Sequence, residues 1–163
     1  MRIRRHQPRD LRRTGPFRAG VVLVEMAIVI SVFAVFMAGV IEFGHAYLVL
    51  GSLNAAARGA ARLGSVDEVS SAQVQQEANR ILGSAFDNTQ ATIRIKDASV
   101  FDTPGMDPSS VDYAALPDVA VDDLEAGQLF LVRIEVLYED VSLMPPFWAR
   151  NLTLRSQSVM RHE

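Results

Sequence analysis

Apolar positions are bunched near one end of this 163-residue chain. From Val21 to Ile41 the sequence reads VVLVEMAIVISVFAVFMAGVI, interrupted only by Glu25 and Ser31. A helix over this run rises roughly 31 Å, which matches a bilayer core of about 30 Å. The run is therefore predicted to cross a membrane. Its length and early carboxylate argue against a cleaved secretory signal, whose apolar region is about 7–15 residues.

Past Ile41 the helical pattern continues but turns amphipathic. No Pro occurs between Pro16 and Pro104, and 42–64 is rich in the helix formers Ala and Leu. Leu53, Ala56, Ala60 and Leu63 recur on one face; Asn54, Arg58 and Arg62 form a polar stripe at four-residue spacing. Gly64 is predicted to stop the helix as a left-handed cap. The pattern thus divides into a transmembrane half, 21–42, and an amphipathic half, 43–64. Gly51, Ala55 and Gly59 also sit four apart. That ladder is either a helix-packing face or a by-product of high Ala content.

A second helix is predicted over Ser71–Leu82, with Ser70 and Gln73 as a capping box and Gly83 as its stop. The period then shifts to two. ATIRIK at 91–96 alternates, with Ile93 and Ile95 on one face. Residues 129–139 put Val132, Ile134, Val136 and Tyr138 on one face, with Arg133, Glu135 and Glu139 opposite; Leu152 and Leu154 open a third alternating run. Three antiparallel strands with one buried face follow, covered by the long helix. The predicted class is α+β: a protruding N-terminal helix packed on a small antiparallel sheet, with residues 65–163 as an external α+β domain.

Charge refines the picture. Residues 1–20 carry seven Arg and one Asp, a net +6; residues 21–163 carry nine bases and eighteen acids, a net −9. The positive-inside rule puts the N-terminus in the cytoplasm and everything beyond about residue 42 outside. The acidic remainder is a poor partner for nucleic acid. Eight acids and no base lie between Asp97 and Phe130. Asp102, Asp107 and Asp112 are five apart, which is not the EF-hand spacing, and the segment reads as a solvated loop with no metal. Residues 144–148, MPPFW, read as a turn whose Phe147 and Trp148 pack at an edge. The N-glycosylation pattern at Asn151 falls where a strand is expected to begin and reads as chance.

Catalysis finds no support in the sequence. There is no Cys, and His6, His45 and His162 are scattered. No GxSxG, HExxH, phosphate loop or dinucleotide fingerprint occurs, so no catalytic residue and no cofactor is expected.

Gly20 and Glu25 remain. A carboxylate inside a membrane segment costs roughly 2.5–3.5 kcal/mol at mid-bilayer and less near an edge. Cleavage after Gly20 would give Val21 an α-amino group, largely cationic at neutral pH because its pKa lies near 8. That amine, in the same chain or a neighbour, would neutralise Glu25. The alternative is an uncut anchor whose Glu25 snorkels to the cytoplasmic interface.

Residues 20–64 resemble the N-terminal segment of TadE-like proteins, minor pilins or pseudopilins of the tight-adherence system that builds Flp-type (type IVb) pili. The matching residues are Gly20; Val24-Glu25-Met26-Ala27; Ile41-Glu42-Phe43-Gly44; and Asn54 through Arg62, including Arg58. Met26 stands where members commonly carry an aromatic residue, and Ser31 where many carry Pro, so a straighter membrane helix is expected. The resemblance implies a pilin-like fold, cleavage between Gly20 and Val21 by prepilin peptidase, and Glu25 as the acidic residue such pilins use. It implies an inner-membrane protein acting in pilus assembly or secretion. The implied partners are the peptidase, the major pilin, other pseudopilins and the membrane platform. The competing expectation is an uncleaved single-pass protein whose external domain binds a ligand or partner.

Overall fold

The computed structural model describes residues 17–163. Most of the basic leader read at 1–20 lies outside the described residues. The chain divides into two compact units between Ala38 and Gly39. Helix α1 runs without interruption from Phe17 to Gly64. Up to Ala38 it is the only described element. Ser31 sits there with its Oγ donating to the Ala27 carbonyl at 2.8 Å, so its hydroxyl is satisfied inside an unbroken helix.

The second unit is α+β. The Gly39–Gly64 part of α1 lies on a three-stranded antiparallel sheet, β1 (Thr92–Asp97), β2 (Leu129–Leu137) and β3 (Thr153–Arg161), in the order β1-β2-β3. Ile93 pairs with Ile134, Ile95 with Val132, and Leu154 with Val136. Alternation along the strands turns these residues to one face. Against them pack Ala46, Val49, Leu53, Ala56, Ala57, Ala60 and Ala61 of α1, all buried. The five alanines keep this face of the helix thin.

Helix α2 spans Ser71–Leu82 with both halves of its capping box formed. Val74, Ala78 and Leu82 are its buried face, as the period of 3.6 requires. Gly83 ends it in a right-handed conformation, with its N–H bonded to the Asn79 carbonyl.

Three expectations need correction. Gly64 is not a left-handed cap; among the described glycines only Gly105 and Gly127 have positive φ. It is small because a Cβ there would lie 3.1 Å from Val74 Cγ2 and 3.2 Å from the Phe130 ring. The second strand stops at Leu137, and Tyr138 and Glu139 belong to a one-turn helix, α3 (Tyr138–Val141). Tyr138 still points inward, but the chain has left the ladder to reach α1.

The third correction concerns the far face of the sheet, which is not simply solvated. Leu131 is fully buried, and so is most of Arg133. The 97–128 segment explains part of this. Asp97 N–H donates to Pro117 O and Val119 N–H to Ile95 O, so 117–119 caps the outer edge of β1. The Lys96 ammonium, only 3% exposed, is held by the Leu116 carbonyl at 2.7 Å and Asp118 at 2.9 Å. Arg133 donates to Glu135 through Nε at 3.0 Å and to Gln157 at 2.9 Å, so its buried donors are matched.

The acidic segment itself is ordered by its acids. Asp97, Asp107 and Asp112 each accept the backbone N–H two residues on, from Ser99, Ser109 and Ala114. These are Asx turns, so Asp107 and Asp112 of the five-residue repeat act as local folding signals, and Asp102 does not. Asp102 pairs with Arg161 and Asp118 with Lys96.

Candidate functional site: the helix and the loop that holds it

The residues singled out from sequence all lie on α1, and they separate into three groups. Gly20, Val21 and Glu25 are exposed. In the uncut chain α1 begins at Phe17, so Glu25 stands past the second turn rather than in the first. The Gly20–Val21 peptide is inside the helix. By length and composition α1 is, among the described residues, the one helix able to cross a membrane. It fits a single-pass anchor.

The second group is turned inward. Glu42 is 5% exposed, although the sequence offers it only as a charge flanking the apolar run. Its Oε1 accepts the backbone N–H of Trp148 at 2.9 Å and of Ala149 at 2.5 Å, and its Oε2 accepts that of Phe147 at 3.1 Å. Three successive amides converge on one carboxylate, the arrangement of an anion nest. Beside it, the Tyr138 hydroxyl donates to the Glu42 carbonyl at 3.0 Å, and so accepts from His45 Nδ1 at 3.2 Å. Burial raises the pKa of the Tyr138 phenol, and the nearby Glu42 charge raises it further. The phenol therefore stays a donor at any physiological pH. Asn54, half-buried, accepts the Ser156 hydroxyl of β3 at 2.5 Å. These contacts lock α1 to both ends of the β2–β3 connection.

The third group faces outward. Phe43 and Gly44 are exposed, as are Tyr47, Leu48, Gly51, Ala55, Arg58 and Arg62. Arg58 and Arg62 form no ion pair among the described residues. The small-residue ladder therefore splits. A Cβ on Gly59 would sit 2.6 Å from Ile81 Cδ1, so Gly59 admits α2 within the chain. A Cβ on Gly51 would meet nothing within 4 Å.

The turn at 144–148 also differs from expectation. Phe147 is 68% exposed, whereas Trp148, 42% exposed, sets one edge of its ring beside Gly39 of α1; the two rings contact each other at 4.8 Å between centroids. The backbone of this turn is what binds, through its amides to Glu42. Sequence reasoning missed that pairing because main-chain donors leave no residue signature.

Elsewhere, Ser71 N–H and Oγ both donate to Asp122, each at 3.0 Å, which ties the start of α2 to the acidic segment. The Ser71 backbone and hydroxyl hydrogen bonds hold the Asp122 carboxyl below its ordinary pKa. His162 Nδ1 donates to the Gly64 carbonyl at 3.0 Å and closes the C-terminal end of α1. Among the described residues no three acids or histidines are grouped to hold a metal.

These features define a class: a small α+β domain carried on a long N-terminal helix whose first half fits a membrane anchor. A family model described as TadE-like protein matches residues 20–62. The match runs from the glycine before the apolar run to Arg62, and it bears out the TadE-like resemblance read from the same residues. Residues 63–163 lie beyond it. No curated protein and no solved structure matches the chain.

Proposed function

We propose that this protein is a minor pilin or pseudopilin that acts in assembly of a Flp, tight-adherence type IV pilus or a related secretion apparatus. It is inserted in the inner membrane with its N-terminus in the cytoplasm. Prepilin peptidase removes the basic leader after Gly20, and the domain beyond residue 42 stands outside the cytoplasm. Its work is packing rather than catalysis, and its partners are the major pilin, other pseudopilins and the assembly platform.

The observation that carries this reading is the TadE-like match over a helix whose sole acid between Val21 and Ile41 is Glu25. That carboxylate is exposed on a helix surface otherwise suited to lipid, and needs a partner there. A new α-amine on Val21 supplies one. The Gly20–Val21 bond lies within the first turns of α1, and fraying of a helix end costs less than opening its middle. The exposed stripe of Tyr47, Leu48, Gly51 and Ala55 further along α1 gives a neighbouring pilin helix an apolar, narrow surface.

The mature N-terminus tests the proposal. Protein purified from membranes of its own host should begin at Val21, and a host lacking the prepilin peptidase should accumulate a species 20 residues longer. A chain that keeps Met1 in both hosts favours the uncleaved, single-pass ligand- or partner-binding protein.

A further inference from the structure

The loop from Leu143 to Arg150 exposes more apolar surface than a soluble domain ordinarily leaves in one place. Leu143 is 77% exposed, Met144 49%, Phe147 68% and Trp148 42%, all within six residues. Single exposed apolar residues mean little, but a contiguous patch rich in aromatics marks a surface that something covers. The height of this patch along α1 is fixed. Glu42 takes the amides of Phe147, Trp148 and Ala149, and the Trp148 ring lies 3.6 Å from where a Cβ on Gly39 would be. Gly39 to Glu42 is about one helical turn, roughly 5 Å of rise. The apolar run ends within that turn, at Ile41.

We propose that the 143–150 loop is a second membrane contact, seated in the headgroup region where α1 leaves the bilayer. This rests on the anchor reading of α1. The loop's chemistry fits that depth. Tryptophan, with an apolar ring and one N–H, is enriched at the membrane–water boundary. Leu143, Met144 and Phe147 supply side chains for the upper acyl region. Arg150 is exposed, with its guanidinium 6.0 Å from the Phe147 ring centroid, and supplies a cation for lipid phosphate. Pro145 and Pro146 restrict the loop before it binds, which lowers the ordering cost of seating it. One helix alone leaves a domain free to tilt and spin. A second contact beside it fixes which face of α1 looks along the membrane.

Trp148 is the only tryptophan and the chain has no cysteine, so the loop and the helix are reported separately by clean probes. The full chain is reconstituted in vesicles of phosphatidylethanolamine and phosphatidylglycerol containing lipids brominated either near the headgroup or near the acyl-chain end. Val29→Cys, carrying a bimane label, reports the helix. Trp148 emission should be quenched strongly by the shallow bromines and weakly by the deep ones. It should also resist aqueous iodide, with no change when the protein is diluted in lipid. Bimane at position 29 should respond most to the deep bromines. If bimane is quenched but Trp148 remains open to iodide and untouched by bromine, the loop contact is wrong and the anchor stands. If Trp148 is shielded from iodide only at high protein-to-lipid ratio, without bromine quenching, another copy covers the loop and the proposal falls. If bimane escapes the deep bromines, the anchor reading fails and the loop contact falls with it.

Discussion

Glu42 shows what a single carboxylate can organise. Its two oxygens accept three backbone amides from a loop more than 100 residues away in sequence, and they hold that loop one turn from the end of the apolar run. An ionised carboxylate suits this role because both oxygens accept and neither donates. Glutamine offers one oxygen and turns an NH2 group toward amides that also donate. Glu42→Gln should therefore loosen the loop and lower the melting temperature of the detergent-solubilised chain by several degrees. Glu42→Ala, which leaves three amides without their acceptor, should lower it further. Trp148 emission should shift in both variants, because its backbone N–H is one of the three and the ring moves with the loop. A melting temperature and emission unchanged in Glu42→Ala would mean that water replaces the carboxylate without loss. Nothing in the sequence announces this pairing. Glu42 is visible as a charge at the edge of the apolar run and as part of the resemblance. Its partners are main-chain amides, identical at every residue except Pro, so no pattern of side chains marks them. Phe147 and Trp148 stand out in the sequence for their rings, yet it is their backbone amides that Glu42 binds.

At the scale of elements, what is written locally is read correctly, and what depends on distant neighbours is not. Helix α2 needs only Ser70, Gln73 and a periodic apolar face, all within fourteen residues, and it forms where they indicate. The strands β1 and β2 alternate visibly, and β3 extends a run that begins at Leu152 and Leu154. Arg133 looks like a solvent-facing strand residue, yet it is buried because Glu135 and Gln157 on its own face satisfy its donors. Gly64 and Gly59 look like a cap and a ladder rung. Each is small because another element crosses there, Phe130 and Val74 at one and Ile81 at the other. The two glycine rungs of that ladder, one open and one covered, give a clean contrast. Gly51→Ala meets nothing and should stabilise the helix by about 0.5–1 kcal/mol, the usual gain over glycine mid-helix. Gly59→Ala gains the same propensity but drives a methyl into Ile81 Cδ1, and overpacking of this kind costs about 1–3 kcal/mol. Ile81→Val deletes that one carbon, at its own cost of about 0.5–1.5 kcal/mol. In the Ile81→Val background, Gly59→Ala should turn from destabilising to neutral or stabilising. A double-mutant cycle read by thermal melting measures the coupling, and additive effects would show that α2 does not rest on Gly59.

For the whole molecule, the governing feature is the separation of charge along the chain: +6 in the first twenty residues, −9 in the rest, and one acid, Glu25, inside the apolar run. On the proposed function the arginines of the leader keep the N-terminus in the cytoplasm and so set the direction of insertion. Glu25 works against insertion, since placing a carboxylate in lipid costs roughly 2.5–3.5 kcal/mol at mid-bilayer. In an uncut anchor it would snorkel to the cytoplasmic interface; in a pilin it can serve a later step. On the proposed function that step comes after cleavage, when the Val21 amine of one chain meets the Glu25 of another as their helices pack. The two charges then share a site that neither occupies favourably alone. Insertion and assembly should consequently respond in opposite directions to Glu25→Ala. The variant should enter the membrane at least as well as the parent chain, measured by the fraction recovered in washed membranes. It should lose co-purification with the pilin subunits and sediment without them when filaments are sheared and collected. Glu25→Gln keeps the size and polarity of the side chain but removes the charge, so it should fail in the same way if charge pairing is the cause. Normal recovery of both variants with filaments would show that Glu25 serves neither purpose, leaving the exposed Tyr47, Leu48, Gly51 and Ala55 face of α1 as the surface through which neighbouring chains are joined.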